Sequence, residues 1–475
     1  MPALSCMVHE AGRISRNRPA FLAEDVRICY GEWDLMVSAT ARLLREAGIQ
    51  PKQRVALYME SGWASATLIM ALMRVGAVAC PLNTRLPVHA VNQQMRLIGA
   101  HQLIARVSAE SQQVLTDMTC LDPDGLVSRE LTTGQGDDEF QIDLNQPAAI
   151  IFTSGSSGQP KAAQLSYGNL YYSAYGANLH LQLRSDSCWL LSLPLYHVGG
   201  LGILFRCMQT GAAMGIPTFG QRLEEAMPKF PATHLSVVPT QLQRLLDANL
   251  PAENVKRLKV VLLGGAPAPQ ELVDQARAAK WPVLRTYGLT EMSSLVAASK
   301  PFDPVERLHS SGCVVRQREI KIAADGEILV RGATRFQGYV EAERLEQPFD
   351  EDGWYATGDV GSLDEQGYLT VRGRKDRMFI SGGENIHPEE IEQRLAALPQ
   401  VHQAVVRPIT DATYGERPVA FVDDDGQGSF EQYESFLRQH LPAYKIPVRW
   451  YHWPETIRNQ PDEKIRPADF DAYIK

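Results

Sequence analysis

Short apolar runs and amphipathic stretches take turns along most of this chain. Between Ile28 and Asn83 a short strand is followed by a helix with Val37, Ala41 and Leu44 on one face. A strand over Val55–Met59, an apolar helix from Ala64 to Met73 and a strand over Val78–Leu82 come next. A helix near Val88–Ile98 and a strand near Leu103 continue the series, and the polar stretch Gly134-Gln135-Gly136-Asp137-Asp138 reads as a surface linker. Then Ala148-Ala149-Ile150-Ile151-Phe152 predicts a buried strand, with a helical pattern starting near Ser166. The alternation resumes as strand Trp189–Ser192, helix Leu201–Met208, strand His234–Val238, helix Gln241–Ala248, strand Val260–Leu263, helix Pro269–Ala279 and strand Val283–Arg285. Elements of these lengths in alternation imply doubly wound α/β layers.

From Glu319 to Val371 the pattern changes to short strands punctuated by Asp325-Gly326, Asp352-Gly353 and Gln366-Gly367 turns, which predicts a small β-rich subdomain over about 319–371. Beyond Asp376, helix Pro388–Leu398, strands Ala404–Arg407 and Pro418–Val422 and helix Phe430–His440 form an α+β unit. The expected fold class is therefore α/β, with a large N-terminal domain of doubly wound sheets over 1–375 and a C-terminal α+β domain over 376–475. No fixed-period repeat interrupts this plan.

At 475 residues the chain exceeds what one core supports, so two or three compact units are expected. Neither the net charge of -8 nor any Lys/Arg run suits a general nucleic-acid binder. The most apolar helix meets Arg74 before it reaches the roughly 18 residues of a membrane span. The first residues do not read as a signal peptide. Seven cysteines, odd in number and without a CxxC pair, point away from a metal site or disulfide framework and toward a reducing cytoplasm.

The chemistry concentrates in a loop after the Ala148–Phe152 strand: Thr153-Ser154-Gly155-Ser156-Ser157-Gly158-Gln159-Pro160-Lys161. Two glycines free the backbone to turn its N–H groups inward, hydroxyls add donors and Lys161 adds a point charge, a combination that suits a chain of phosphates. The spacing is not that of a Walker A loop. Tyr287-Gly288-Leu289-Thr290-Glu291, Tyr355-Ala356-Thr357-Gly358-Asp359, Gly373-Arg374-Lys375-Asp376 and Ser381-Gly382-Gly383-Glu384-Asn385-Ile386 follow in order, and Lys464 stands near the end.

With the phosphate loop, these motifs resemble the adenylate-forming superfamily of acyl-CoA synthetases, peptide-synthetase adenylation domains and luciferases, over nearly the entire chain. The resemblance implies that the loop grips the β and γ phosphates of ATP. Glu291 then ligates Mg²⁺ with a hard oxygen, and Thr290 donates to the α-phosphate. Tyr287 and Gly288 complete the nucleotide site, Gly264-Gly265-Ala266 borders the adenine, and Asp359 with Arg374 holds the ribose. Lys464 is implied as the main catalytic residue of the first step, bridging the attacking carboxylate and the α-phosphate. Glu463 stands before it where the family usually has glycine. Asp376 matches the family's hinge, about which a mobile C-terminal domain would turn to bring Ser381, Gly382 and Gly383 to the coenzyme A side.

Within the superfamily, Leu193-Pro194-Leu195-Tyr196-His197-Val198-Gly199-Gly200, Val238-Pro239-Thr240-Gln241-Leu242 and Ile446-Pro447-Val448-Arg449-Trp450 look like the o-succinylbenzoate:CoA ligases of menaquinone biosynthesis. Such a ligase converts the acid to a thioester through an acyl-adenylate, releasing AMP and pyrophosphate. Ligases for another aryl or medium-chain acid, and a stand-alone adenylation module serving a carrier protein, are the alternatives. The chain ends at Lys475 with no carrier domain, which weighs against the module. The implied substrate is a diacid whose second carboxylate must be held without reacting, so the pocket must supply donors. His197, Thr240, Ser293 and Ser294 are candidates, with Arg206 ranked below them because its helix can carry it away. The partners expected are thus a small carboxylic acid, ATP and CoA, with no nucleic acid or integral membrane association, and a homo-oligomer is left open.

Overall fold

The computed structural model describes residues 3–106, 118–127, 141–154, 160–248, 250–301, 303–424, 426, 428–458 and 465–474. The expected linker at Gly134–Asp138 lies outside them. The chain divides into two compact units, one made of Met1–Gly265, Lys280–Ile320 and Val330–Ala356, the other of Ala266–Ala279, Lys321–Leu329 and Thr357–Lys475.

The first unit holds two large sheets. In the eight-stranded one, parallel strands Gln102–Ala105, Arg54–Tyr58 and Val78–Pro81 lead to β1 (Pro147–Ser154), which pairs antiparallel with β2 (Pro160–Ser166). β2 did not register in the sequence pattern. Its residues Pro160-Lys161-Ala162-Ala163-Gln164-Leu165-Ser166 have little strand propensity, and it is stabilised by burial from Ala162 onward rather than by alternation. Strand Gly338–Glu341, from the stretch read as a β-rich subdomain, pairs with β2 and extends this large sheet, with Val340 opposite Ala162. The apolar helix Trp63–Val75 is buried on nearly every side and ends where Gly76 turns left-handed at φ 88°.

Helix α1 (Tyr167–Leu181) starts at a reciprocal cap. Ser166 Oγ accepts from the Asn169 N–H at 3.0 Å, and Asn169 Oδ1 accepts from the Ser166 N–H at 2.9 Å. Helix α2 (Val198–Thr210) begins after His197 and ends at the left-handed Gly211. Their facing sides meet in the core through Tyr167 and Phe205, whose rings lie 5.8 Å apart edge to face.

The nine-stranded sheet has a parallel centre in which His234–Val237 neighbours β3 (Val260–Leu263) and β3 neighbours β4 (Val283–Leu289). β4 then turns back on β5 (Ser294–Ala298) as an antiparallel pair. Parallel strands ending at the same edge place the β3 and β4 termini side by side, the arrangement in which open α/β sheets bind ligands.

Strand Tyr355–Leu363, whose residues from Thr357 onward belong to the second unit, pairs antiparallel with Leu369–Arg374. Strands Phe379–Ser381, Glu384–Ile386, Gln403–Asp411, Gly415–Asp423 and Arg449–His452 make a five-stranded sheet. Helices Pro388–Leu395 and Phe430–His440 pack against it through Ile391, Leu395, Tyr433 and Leu437. Among the described residues no helix is long and apolar enough to cross a membrane.

Candidate active site

β1 and β2 pair antiparallel with Ser154 opposite Pro160 and Thr153 opposite Lys161, so the first two residues and the lysine of the phosphate motif lie on paired strands. Gly155, Ser156, Ser157, Gly158 and Gln159 lie outside the described residues. On β2 the exposed Lys161 ammonium stands 4.8 Å from the centre of the Tyr339 ring. The Tyr339 hydroxyl lies 2.6 Å from Glu291 Oε1 and 2.8 Å from the Tyr355 hydroxyl. A carboxylate only accepts, so Tyr339 donates to Glu291 and Tyr355 must donate to Tyr339. Burial, reinforced by the Glu291 charge, pushes the Tyr339 phenol well up, which keeps that proton in place.

Sequence reasoning assigned no role to Tyr339 or Tyr355. Tyr355 sits in a quoted motif and gave a signal in retrospect, whereas Tyr339 is brought to Glu291 only by the pairing of its strand with β2.

Thr290 and Glu291 occupy one 3-10 turn between β4 and β5. Glu291 is buried and Thr290 half-buried. Among the described residues no cluster of three His, Cys, Asp or Glu side chains could cage a metal ion. A single carboxylate nonetheless fits Mg²⁺, which takes one or two protein oxygens and completes its shell with phosphates and water. Upstream, the half-buried Tyr287 and exposed Gly288 end β4, and Gly264 and Gly265 lie just past β3. The Gly264 N–H donates to Val237 O at 3.1 Å, tying that bend to the neighbouring strand. Ala266 opens a segment of the second unit.

After Thr290–Met292 the backbone is unusual. Ser293 has φ 54° and Ser294 φ 108°, both in the region that favours glycine, at a cost of about 1–3 kcal/mol each. Ser293 Oγ is spent on Thr334 O at 2.9 Å. Ser294 Oγ accepts from Arg206 Nη2 at 3.1 Å. The helix therefore does not carry Arg206 away, because its guanidinium folds back along α2 over Gly202. A Cβ on Gly202 would fall 3.2 Å from Arg206 Nη2. The guanidinium lies 5.2 Å from the Trp189 ring and is 2% exposed. Burial lowers its pKa to about 10, and among the described residues no carboxylate pairs with it. His197 caps α2 with an exposed ring 4.8 Å from Tyr196, and Thr240 is exposed in the first turn of helix Pro239–Asp247. Of the residues proposed to hold an acid, Ser294 and Arg206 are in direct contact.

The second unit carries the remaining candidates. Asp359 and Arg374 are register partners across two antiparallel strands, with Arg374 Nη1 3.3 Å from Asp359 Oδ1. The same guanidinium donates to Thr357 O at 2.8 Å and through Nε to Asp376 Oδ1 at 3.1 Å. Lys375 is held by Asp325 at 2.6 Å and Glu327 at 2.7 Å. Gly382 and Gly383, at φ 59° and 87°, form a two-residue hairpin turn between Ser381 and Glu384, with Ser381 buried. Lys464 lies outside the described residues.

Residues 8–340 match the family of AMP-binding enzymes, and residues 390–458 match the AMP-binding enzyme C-terminal domain. The chain is 33% identical over 468 residues to a 2-succinylbenzoate–CoA ligase of Bacillus cereus (strain Q1), covering 95% of each. Among solved structures it resembles the o-succinylbenzoate CoA synthetase (MenE) of Bacillus subtilis in complex with the acyl-adenylate intermediate OSB-AMP. That likeness has a TM-score of 0.86 and 27% identity, covering 98% of this chain and 99% of the other. The Bacillus subtilis synthetase in complex with ATP and magnesium ion superposes with a TM-score of 0.85 at 28% identity, covering 95% and 96%. The E. coli MenE with a bound phenylether-linked analogue of OSB-AMS does so at 0.79 and 29%, covering 99% and 98%.

Proposed function

The chain belongs to the AMP-binding enzyme family, and from that premise we propose that it ligates o-succinylbenzoate to coenzyme A. In the first step the succinyl carboxylate attacks the α-phosphorus of ATP, forming the acyl-adenylate and expelling pyrophosphate. In the second the thiolate of CoA attacks the acyl carbonyl, AMP leaves, and the thioester forms. ATP, Mg²⁺ and CoA are all required. When bound, Mg²⁺ neutralises phosphate oxygens as pyrophosphate departs. Glu291 would hold it, oriented by the Tyr339 hydroxyl.

In this reading the Thr153–Gly158 loop and Lys161 hold the β and γ phosphates, and Thr290 donates to the α-phosphate. Tyr287, Gly288 and Gly264–Ala266 border the adenine, and Asp359 with Arg374 takes the ribose. The cross-strand pairing of Asp359 and Arg374 supports that last assignment. Lys464 supplies the ammonium that stabilises charge between carboxylate and α-phosphate. Rotation about Asp376 would then exchange Lys464 for the Ser381–Gly383 turn, so one site serves both steps. A cytoplasmic location is part of this reading, supported by free cysteines throughout the described residues. A homo-oligomer is compatible with it.

The observation that carries the choice of acid is the buried Arg206 guanidinium. It lacks a carboxylate among the described residues, and a dicarboxylic substrate supplies one. Ser294 orients the guanidinium, while His197 and Thr240 are exposed at the starts of their helices. Incubating the purified protein with ATP, CoA and a mixture of aryl, fatty and succinylbenzoic acids should yield o-succinylbenzoyl-CoA as the main thioester by mass. A different dominant thioester would reject the assignment of this substrate while leaving the ligase reaction in place.

A further inference from the structure

Arg206 is not the only buried guanidinium in the first unit that lacks a carboxylate. Arg318, at the start of strand Arg318–Ile322, is 6% exposed, and among the described residues no Asp or Glu pairs with it. Burial, and then the positive charge of Arg206, bring its pKa down to about 9. Nothing in the nucleotide chemistry uses this residue, and retaining an unpaired buried cation is costly, so its contacts call for a reason.

Those contacts form a directed chain. Arg318 Nη2 donates to Ser173 Oγ at 2.8 Å and to Ser173 O at 3.2 Å, and Nη1 donates to Arg316 O at 2.7 Å. A guanidinium only donates, so the Ser173 hydroxyl must accept from it and turn its single proton elsewhere. That proton goes to Ser293 O at 2.5 Å, across 120 residues of sequence. Ser293 and Ser294 are the two residues held at positive φ, and Ser294 Oγ accepts from Arg206. The fork reaches three oxygens at once, which a lysine ammonium on a flexible stem does not reproduce. Space for it is reserved on α1, because a Cβ on Gly176 would lie 2.6 Å from Arg318 Nη1.

We propose that Arg318 is a positioning residue for the acid pocket: through Ser173 it holds the left-handed Ser293–Ser294 turn, and so keeps the Ser294 hydroxyl where it aims the Arg206 guanidinium at the second carboxylate of the substrate. This role rests on the reading of the substrate as o-succinylbenzoate.

Two variants of the full chain test it, Arg318→Lys and Ser173→Ala, by steady-state pyrophosphate release with o-succinylbenzoate and with 3-benzoylpropionate. The second acid has the same reacting arm but no ring carboxylate. Each variant should raise the KM for o-succinylbenzoate about tenfold, the loss expected for one charge-assisted hydrogen bond misdirected. The KM values for ATP and for 3-benzoylpropionate should stay within about twofold of the parent. The double variant should be no worse than the poorer single one, because both break one chain. If Arg318→Lys does not fold, Ser173→Ala carries the same comparison. Equal losses on both acids, or variants that keep the diacid KM of a parent that prefers the diacid, overturn the positioning role alone. A parent enzyme that turns over the monoacid as well as the diacid overturns the substrate reading and the role together.

Discussion

Replacing Arg206 with Met removes the guanidinium and keeps an unbranched apolar stem in its place. In the free protein this should cost little stability. Burial pushes the Arg206 pKa down to about 10, which corresponds to roughly 3 kcal/mol against the charged form in the fold. Losing the hydrogen bond to Ser294 and the contact over the Trp189 ring offsets about 1 kcal/mol each. The net change is therefore near zero or a gain of about 1 kcal/mol, and the urea midpoint of Arg206→Met should match or exceed that of the parent. Catalysis should respond in the opposite sense. A substrate carboxylate left without its cation in a desolvated site costs about 3–5 kcal/mol, or about two to four orders of magnitude in kcat/KM for o-succinylbenzoate. Pyrophosphate release and urea unfolding on the same preparation read both quantities. A variant that unfolds at lower urea and retains kcat/KM within about threefold would mean that Arg206 is structural and meets no substrate charge.

Lys464→Ala should abolish acyl-adenylate formation and leave thioester formation from supplied adenylate and CoA largely intact, and equal loss of both would refute the division of labour between the two steps. Tyr339→Phe removes the 2.6 Å donor to Glu291 and should raise the Mg²⁺ concentration for half-maximal activity about tenfold. An unchanged Mg²⁺ dependence would show that other contacts orient the carboxylate. Burial holds His234 neutral down to about pH 4, whereas in the unfolded chain it takes up a proton near 6.5. Between these values the unfolded state binds more protons, so this residue's contribution is intact above pH 6.5 and fades as pH drops through 4, by up to about 3 kcal/mol. His234→Leu should narrow the gap between urea midpoints at pH 7 and pH 4.5, and an equal gap would count against the burial argument.

What could be read along the chain is what short-range chemistry encodes. Strand and helix alternation follows from the spacing of apolar residues within a dozen positions, and the Ala148–Phe152 strand, the Val260–Leu263 strand and the helix from Pro388 all fall where that spacing places them. The phosphate motif and the Tyr-Gly-Leu-Thr-Glu turn were legible for the same reason, since each is a contiguous run of glycines, hydroxyls and charges. The strand β2 was not, because Ala162, Ala163 and Gln164 become strand residues only when two neighbouring strands bury them.

The sequence by itself determined the family plan, the reaction class and the nucleotide motifs. Tertiary structure decided which distant side chains meet. Arg206 meets Ser294 across 88 residues and Arg318 meets Ser173 across 145. Tyr339 meets Glu291 across 48, and no local period marks any of these pairs. Such contacts arise where sheets and helices from distant segments close on one another. An arginine's position in a helix says where its backbone lies, but the direction of its charge depends on what the rest of the fold has buried around it.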